Sequence, residues 1–186
     1  MSTLFTGVPS NLVGAATGVQ TIQPGQFLDG ATLSANAAAF PLLTFPAWNS
    51  LDIRLNIMGF SGSDIVSIRF NADTGNNYWD RNLTAVAGGV VFVDNPTTTT
   101  SQIRVGIAGT KGISARLQVG NNLAVSKLVS GTVSMGTGAV GTAGTAVVSM
   151  AGEWINTTAQ IISLSIQCVG ANNLLSGSSA MVYAGI

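Results

Sequence analysis

Between Leu51 and Ile57 the chain alternates without a break. Leu51, Ile53, Leu55 and Ile57 are apolar, and Asp52, Arg54 and Asn56 are polar. A period of two sends successive side chains to opposite faces of a strand, so one face of this segment belongs in a core and the other in a polar setting. The same period recurs. Val66, Ile68 and Phe70 share one face, with Ser67 and Arg69 on the other. Ile103, Val105 and Ile107 point together, as do Ile113, Ala115, Leu117 and Val119. The run Ile162 to Cys168 completes the set, with Cys168 on the apolar parity and therefore expected as a buried core thiol. Val90 to Val93 is continuously apolar, as in a strand buried on both sides.

Turn signals punctuate these runs. They are Gly59 to Asp64, Asn71 to Asn77, Asp94-Asn95-Pro96, Gly109 to Gly112, Gly120-Asn121-Asn122 and Gly170 to Asn173. Short alternating strands separated by Gly/Asn turns predict an all-β fold, an antiparallel β-sandwich. Helical periodicity is missing, except that Ser34 to Phe40 allows a turn or two of helix. Residues 1 to 35 show little alternation and read as an extended N-terminal arm, leaving 36 to 186 as the sandwich domain. Residues 131 to 150 are low in complexity and repeat Val-Ser-Met at 133–135 and 148–150, which predicts two strands joined by a Gly-rich hairpin or long loop.

Charged residues make up only 8% of the 186 residues, and seven basic side chains cancel seven acidic ones. The exterior must then be mostly Ser, Thr, Asn, Gln, Gly and Ala, which loses little when a neighbour strips its water. Such a surface suits a protein packed against other subunits. Arg54, Arg69, Arg81, Arg104, Lys111, Arg116 and Lys127 are scattered, so nucleic acid is not expected as a partner. The N-terminus lacks the pattern of a signal peptide, and no apolar run is long enough for a membrane helix, so use without export and without a membrane is expected.

The chemistry-bearing residues are few. With no histidine and one cysteine, a His- or Cys-based metal cage and an internal disulfide are ruled out. Glu153 is the only glutamate, and no carboxylate pair or phosphate cradle is visible, so no enzyme, cofactor or metal is expected. Asp73-Thr74-Gly75 matches the aspartic-protease triplet, but Asn71-Ala72 before it and Asn76-Asn77 after it are the wrong setting. The favoured reading is an Asp-initiated turn with Gly75 at positive φ. Asn71, Asp73, Asn76, Asn77 and Asp80 are rich in oxygen, yet two carboxylates off the EF-hand spacing favour a structural turn over a calcium loop. The triplets at Asn82 and Asn156 that fit a glycosylation acceptor are read as chance. Trp48, Trp79 and Trp154 lie near strand ends, where a buried rim of the sandwich is favoured over interface anchors. Met58, Met135, Met150 and Met181 are expected as core fillers.

The segment Ile68-Arg69-Phe70-Asn71-Ala72-Asp73-Thr74-Gly75-Asn76-Asn77-Tyr78 resembles a signature of small virion proteins of tailed bacteriophages. The strand region Phe45 to Leu55 before it is similar to theirs, and Ser176 to Ile186 resembles their closing strand, with Ala184 between Tyr183 and Gly185 as a departure. The resemblance covers about residues 40 to 84 and 160 to 186, and its motif residues are Arg69, Phe70, Asn71, Asp73, Gly75, Asn77 and Tyr78. It implies a jelly-roll-like sandwich in a capsid or tail, with no catalytic residues. On that basis the expected function is a homo-oligomeric capsid decoration or cement protein on the virion, with the major capsid protein as partner. A tail or baseplate component and a carbohydrate-binding host-attachment module are the alternatives.

Overall fold

The computed structural model describes residues 23–86, 97–136 and 145–186. They form ten strands: β1 (Phe27–Thr32), β2 (Leu43–Thr44), β3 (Ser50–Phe70), β4 (Tyr78–Val86), β5 (Thr97–Thr100), β6 (Ile103–Gly120), β7 (Lys127–Gly136), β8 (Thr145–Trp154), β9 (Ser163–Cys168) and β10 (Ser179–Ala184). All pairings are antiparallel, and the hydrogen-bonded order is β1-β10-β3-β6-β7-β8-β4-β5. The all-β, antiparallel fold expected from the alternation is present. β10 and β9 share one edge of β3 end to end, β10 along Leu51–Asn56 and β9 along Val66–Phe70, and β2 pairs outside β9.

The sheet curls over on itself. Along the ladder β4 lies three strands from β6, yet the Asp80 carboxylate on β4 accepts the backbone N–H of Arg104 on β6 at 2.5 Å. The Arg104 guanidinium also donates to it, through Nε at 3.1 Å and Nη2 at 3.1 Å. Between the facing layers sits one core cluster. β3 contributes Leu51, Ile53, Leu55, Ile57, Val66, Ile68 and Phe70, and β6 contributes Ile103, Val105, Ile113, Ala115, Leu117 and Val119. These are the faces that the period of two assigned, apart from Ile107, whose side chain lies outside the described residues.

Two expected turns are bends instead. Gly59 to Asp64 and Gly109 to Gly112 lie inside β3 and β6, opposite each other, with Gly59 paired to Lys111 and Asp64 to Gly109. The register slips between Gly59 and Asp64, as in a bulge that lets a strand turn a corner while staying paired. Gly59 has φ 148°, which suits glycine, and a Cβ on Gly112 would stand 2.6 Å from the Ile57 carbonyl oxygen. Glycine therefore marks where the two long strands pass from one layer to the other. Ser34 to Phe40 is not helical, because Ala37 and Ala39 form isolated bridges to Leu174 and Gln167.

Residues 27 to 32, inside the stretch read as an arm, form β1 and pair with β10. Residues 1–22 and the Val90 to Val93 and Asp94 to Pro96 readings lie outside the described residues. The low-complexity stretch supplies β7 and β8, and its repeat stacks on itself, with Val133 paired to Val148. Ile162 is 51% exposed, unlike Leu164, Ile166 and Cys168, because β9 starts one residue later.

Candidate interaction face

The motif segment folds into a closed corner between β3 and β4. Positive φ falls on Asn71 (51°) and Ala72 (55°) rather than on Gly75, which corrects the expected turn geometry. Asparagine tolerates this region because its short side chain bonds locally. Here Asn71 reaches further. Its Nδ2 donates to Gln160 O at 2.8 Å, and its Oδ1 accepts Ile162 N at 2.9 Å and Ser163 N at 3.1 Å. Asp73 accepts from Gly75 N at 2.8 Å, Asn77 Nδ2 at 3.0 Å and Trp154 Nε1 at 2.7 Å. Burial alone would raise its pKa, and these donors, Trp154 foremost, outweigh burial and hold it below the usual carboxylate range.

Tyr78 is fully buried. Its hydroxyl accepts Phe70 N at 2.9 Å and lies 3.1 Å from Phe70 O as donor. Burial pushes its pKa well up. Its ring stacks at 6.2 Å on Trp154, which also meets Phe70 at 5.8 Å. Arg69 donates through Nε to Ser101 O at 3.0 Å and through Nη2 to Gln102 Oε1 at 3.0 Å. The motif thus anchors the core through Phe70 and Tyr78, Asn71, Asp73, Gly75 and Asn77 close the corner, and Arg69 reaches instead to Ser101 and Gln102. Asp80, grouped with this turn in sequence, is spent on Arg104. Among the described residues no group of three His, Cys, Asp or Glu side chains converges.

The three tryptophans part company. Trp154 is 1% exposed and interior, so it offers no surface to a partner. Trp48 is half-buried and donates through Nε1 to Gly185 O at 3.2 Å. Trp79 is 45% exposed. Met135 and Met150 are core residues as expected, whereas Met58 and Met181 stand on the outside of β3 and β10, where the parity puts them. Cys168 is buried, and burial pushes its thiol up to about 11.

The outward side chains of β10, β3, β6, β7, β8 and β4 stand in cross-strand rows. One row reads Met181, Arg54, Arg116, Thr132, Ser149, Leu83, and the next Ser179, Asn56, Ser114, Ser134, Val147, Ala85. Arg54 and Arg116 oppose each other directly, an unfavourable like-charge placement. Asp52 bridges them, accepting both guanidiniums at 2.9 Å, and Arg54 lies 4.4 Å over the Tyr183 ring. Burial alone would raise the Asp52 pKa, but the bonds from Arg116 and then Arg54 lower it. Beside this cluster is a shallow, open depression of about 540 Å³ lined by Asn56, Ser114, Thr132 and Ser134 as well as the two arginines.

A second corner was missed by sequence reasoning. Lys127 is fully buried, and its Nζ donates to Val125 O and Asn156 O, both at 2.7 Å. Burial lowers its pKa. Lysine is seldom buried, so composition gives no hint. The available signal was parity, since Lys127 falls in step with the inward Val129, Val133 and Met135. The same corner holds Asn121, fully buried, with Nδ2 donating to Trp48 O and Ile161 O and Oδ1 accepting Ile161 N. No helix among the described residues is long and apolar enough to cross a membrane. No family model matches this chain, and neither the curated proteins nor the solved structures hold a match to it.

Proposed function

We propose that the chain is a structural protein of a bacteriophage particle, a capsid decoration or cement protein that docks through the two rows Met181-to-Leu83 and Ser179-to-Ala85 of the outer face of β10, β3, β6, β7, β8 and β4. The observation that carries this reading is the make-up of that face. It is broad, and Ser, Thr, Asn and Ala fill most of its two central rows. Asp52 holds Arg54 and Arg116 together, and Arg81 and Glu153 stand toward the β4 side. Covering such a face strips few charges of water, so contact costs little in desolvation. The placement of β10 between β1 and β3 suits the jelly-roll-like layout that the motif resemblance implies.

The mechanism is mass action. A protein that binds the assembled shell but not its separated subunits stabilises the shell. The major capsid protein is the partner. Internal use of cations supports a role without nucleic acid: Arg104 is engaged by Asp80, and the buried Lys127 by two backbone carbonyls. Stripping the protein from purified particles should lower their thermal or osmotic resistance, and adding it back should restore it. Unchanged resistance rejects the cement role, and immunogold label on the tail moves the protein to the tail or baseplate. Exposed Trp79 beside Glu153 favours one further reading, a carbohydrate-binding attachment module. Binding to host glycans on an array, lost in Trp79→Ala, would support that reading instead.

A further inference from the structure

We infer that the Lys127 corner is a self-association site, whose occupant is the same corner of a second copy of this chain. Five large apolar side chains are exposed there: Leu123 (57%), Val125 (50%), Leu128 (65%), Ile155 (46%) and Trp79 (45%). Sheet register and hydrogen bonds bring them to one end of the fold. Leu128 and Trp79 both pair with Glu153, one from each side. Ile155 donates its N–H to Asn77 O at 2.8 Å, next to β4. The connection carrying Leu123 and Val125 is tied down by Ala124 N donating to Thr157 O at 2.9 Å.

This end is built, not left over. The Lys127 ammonium joins the carbonyls on either side of the corner, Val125 O and Asn156 O, from beneath. Ala124 holds φ 64°, a left-handed conformation that a non-glycine residue adopts only at a cost. A fold that fixes a loop with a buried charge and a strained residue holds its apolar side chains ready, so little ordering remains to be done on contact.

The size and charge of the patch identify the occupant. With these exposures the five side chains offer on the order of 500 Å² of apolar surface, near the upper end for the largest patch on a monomer. That equals the apolar share of one side of a standard interface, roughly 800 Å² per partner. One patch packed against its own copy therefore reaches about 1,000 Å² in total, the threshold for a specific interface. The net charge is zero, so whole copies carry no overall repulsion, and within the patch Glu153 stands between Leu128 and Trp79. A two-fold arrangement closes the association at two copies.

The test is sedimentation velocity on the full chain across a range of micromolar concentrations. The wild type should sediment as a dimer of the 18.8 kDa chain. Leu128→Asp should weaken the dimer by at least about 30-fold, since it removes the most exposed apolar side chain of the patch and sets a second carboxylate beside Glu153. Leu123→Ser should weaken it less and serves if the aspartate variant does not fold, with circular dichroism checking the fold of both. Leu42→Ser, at another exposed apolar position, should leave the dimer intact. A wild type that stays monomeric throughout overturns the proposal, as does a Leu128→Asp chain that dimerises like wild type. Binding of the monomer to assembled shells through this corner overturns it too and assigns the patch to the capsid. Shell stabilisation is scored on particles, so its failure is separable from failure of the dimer.

Discussion

The corner at Asp73 and the corner at Lys127 use one device to opposite ends. Each buries or part-buries a charged group that binds loop backbone, and each holds one alanine in the left-handed region, Ala72 at 55° and Ala124 at 64°. At Asp73 the apolar side chains turn inward, and Phe70, Tyr78 and Trp154 become core. At Lys127 they turn outward, and Leu123, Val125 and Leu128 are exposed. A polar anchor therefore decides how rigid a corner is. The parity of the flanking strands decides whether that rigidity builds the core or displays a surface.

The largest effect expected from breaking this contrast is at Trp154. Trp154→Ala removes the ring that stacks on Tyr78 and the donor to Asp73, and should cost about 3–5 kcal/mol in denaturant unfolding. Exposed Trp79→Ala, measured on dilute monomer, should change unfolding by no more than about 0.5 kcal/mol. Similar losses at the two positions would show that the corners are not different in kind.

Acid should separate the corners next. The folded-state pKa of Asp73 lies below its ordinary 3.8, so its contribution is fully present above that value and is lost as pH falls through the lower folded value. The folded-state pKa of Lys127 also lies below its ordinary 10.5, but there burial disfavours the charged form, so its contribution is unfavourable below the alkaline range and changes only within it. Amide protection, measured against the intrinsic exchange rate at each pH, should accordingly fall near pH 3 across residues 69–78 before it does across 121–128. Simultaneous loss would remove the distinction. A small effect of opposite sign is expected from Ala72→Gly and Ala124→Gly, which relieve left-handed strain and should each stabilise the fold by up to about 1 kcal/mol. Only Ala124→Gly should also weaken self-association, by loosening the displayed loop.

Much of the fold was legible in the chain. Alternation assigned the faces of β3 and β6 because one face of each is buried. The interruptions at 59–64 and 109–112 were misread as turns, since glycine and serine suit a bulge and a turn alike. Only the opposed strand, with Gly59 against Lys111, tells them apart. Trp79 and Trp154 each stand at a strand end, and their depth depends on pairings remote in sequence. The motif turn was found as a turn, but its partner Trp154 is 81 residues away from Asp73. Lys127 was missed because its parity signal competes with the strong prior that lysine faces water.

The most direct measurement is covalent surface labelling of the full chain at low and high concentration, read residue by residue. Leu123, Val125 and Leu128 should label strongly when dilute and lose label as copies associate, while Phe70, Tyr78 and Trp154 stay unlabelled in both. Strong label on Trp154, or label on Leu123 to Leu128 that is the same at every concentration, would contradict the account.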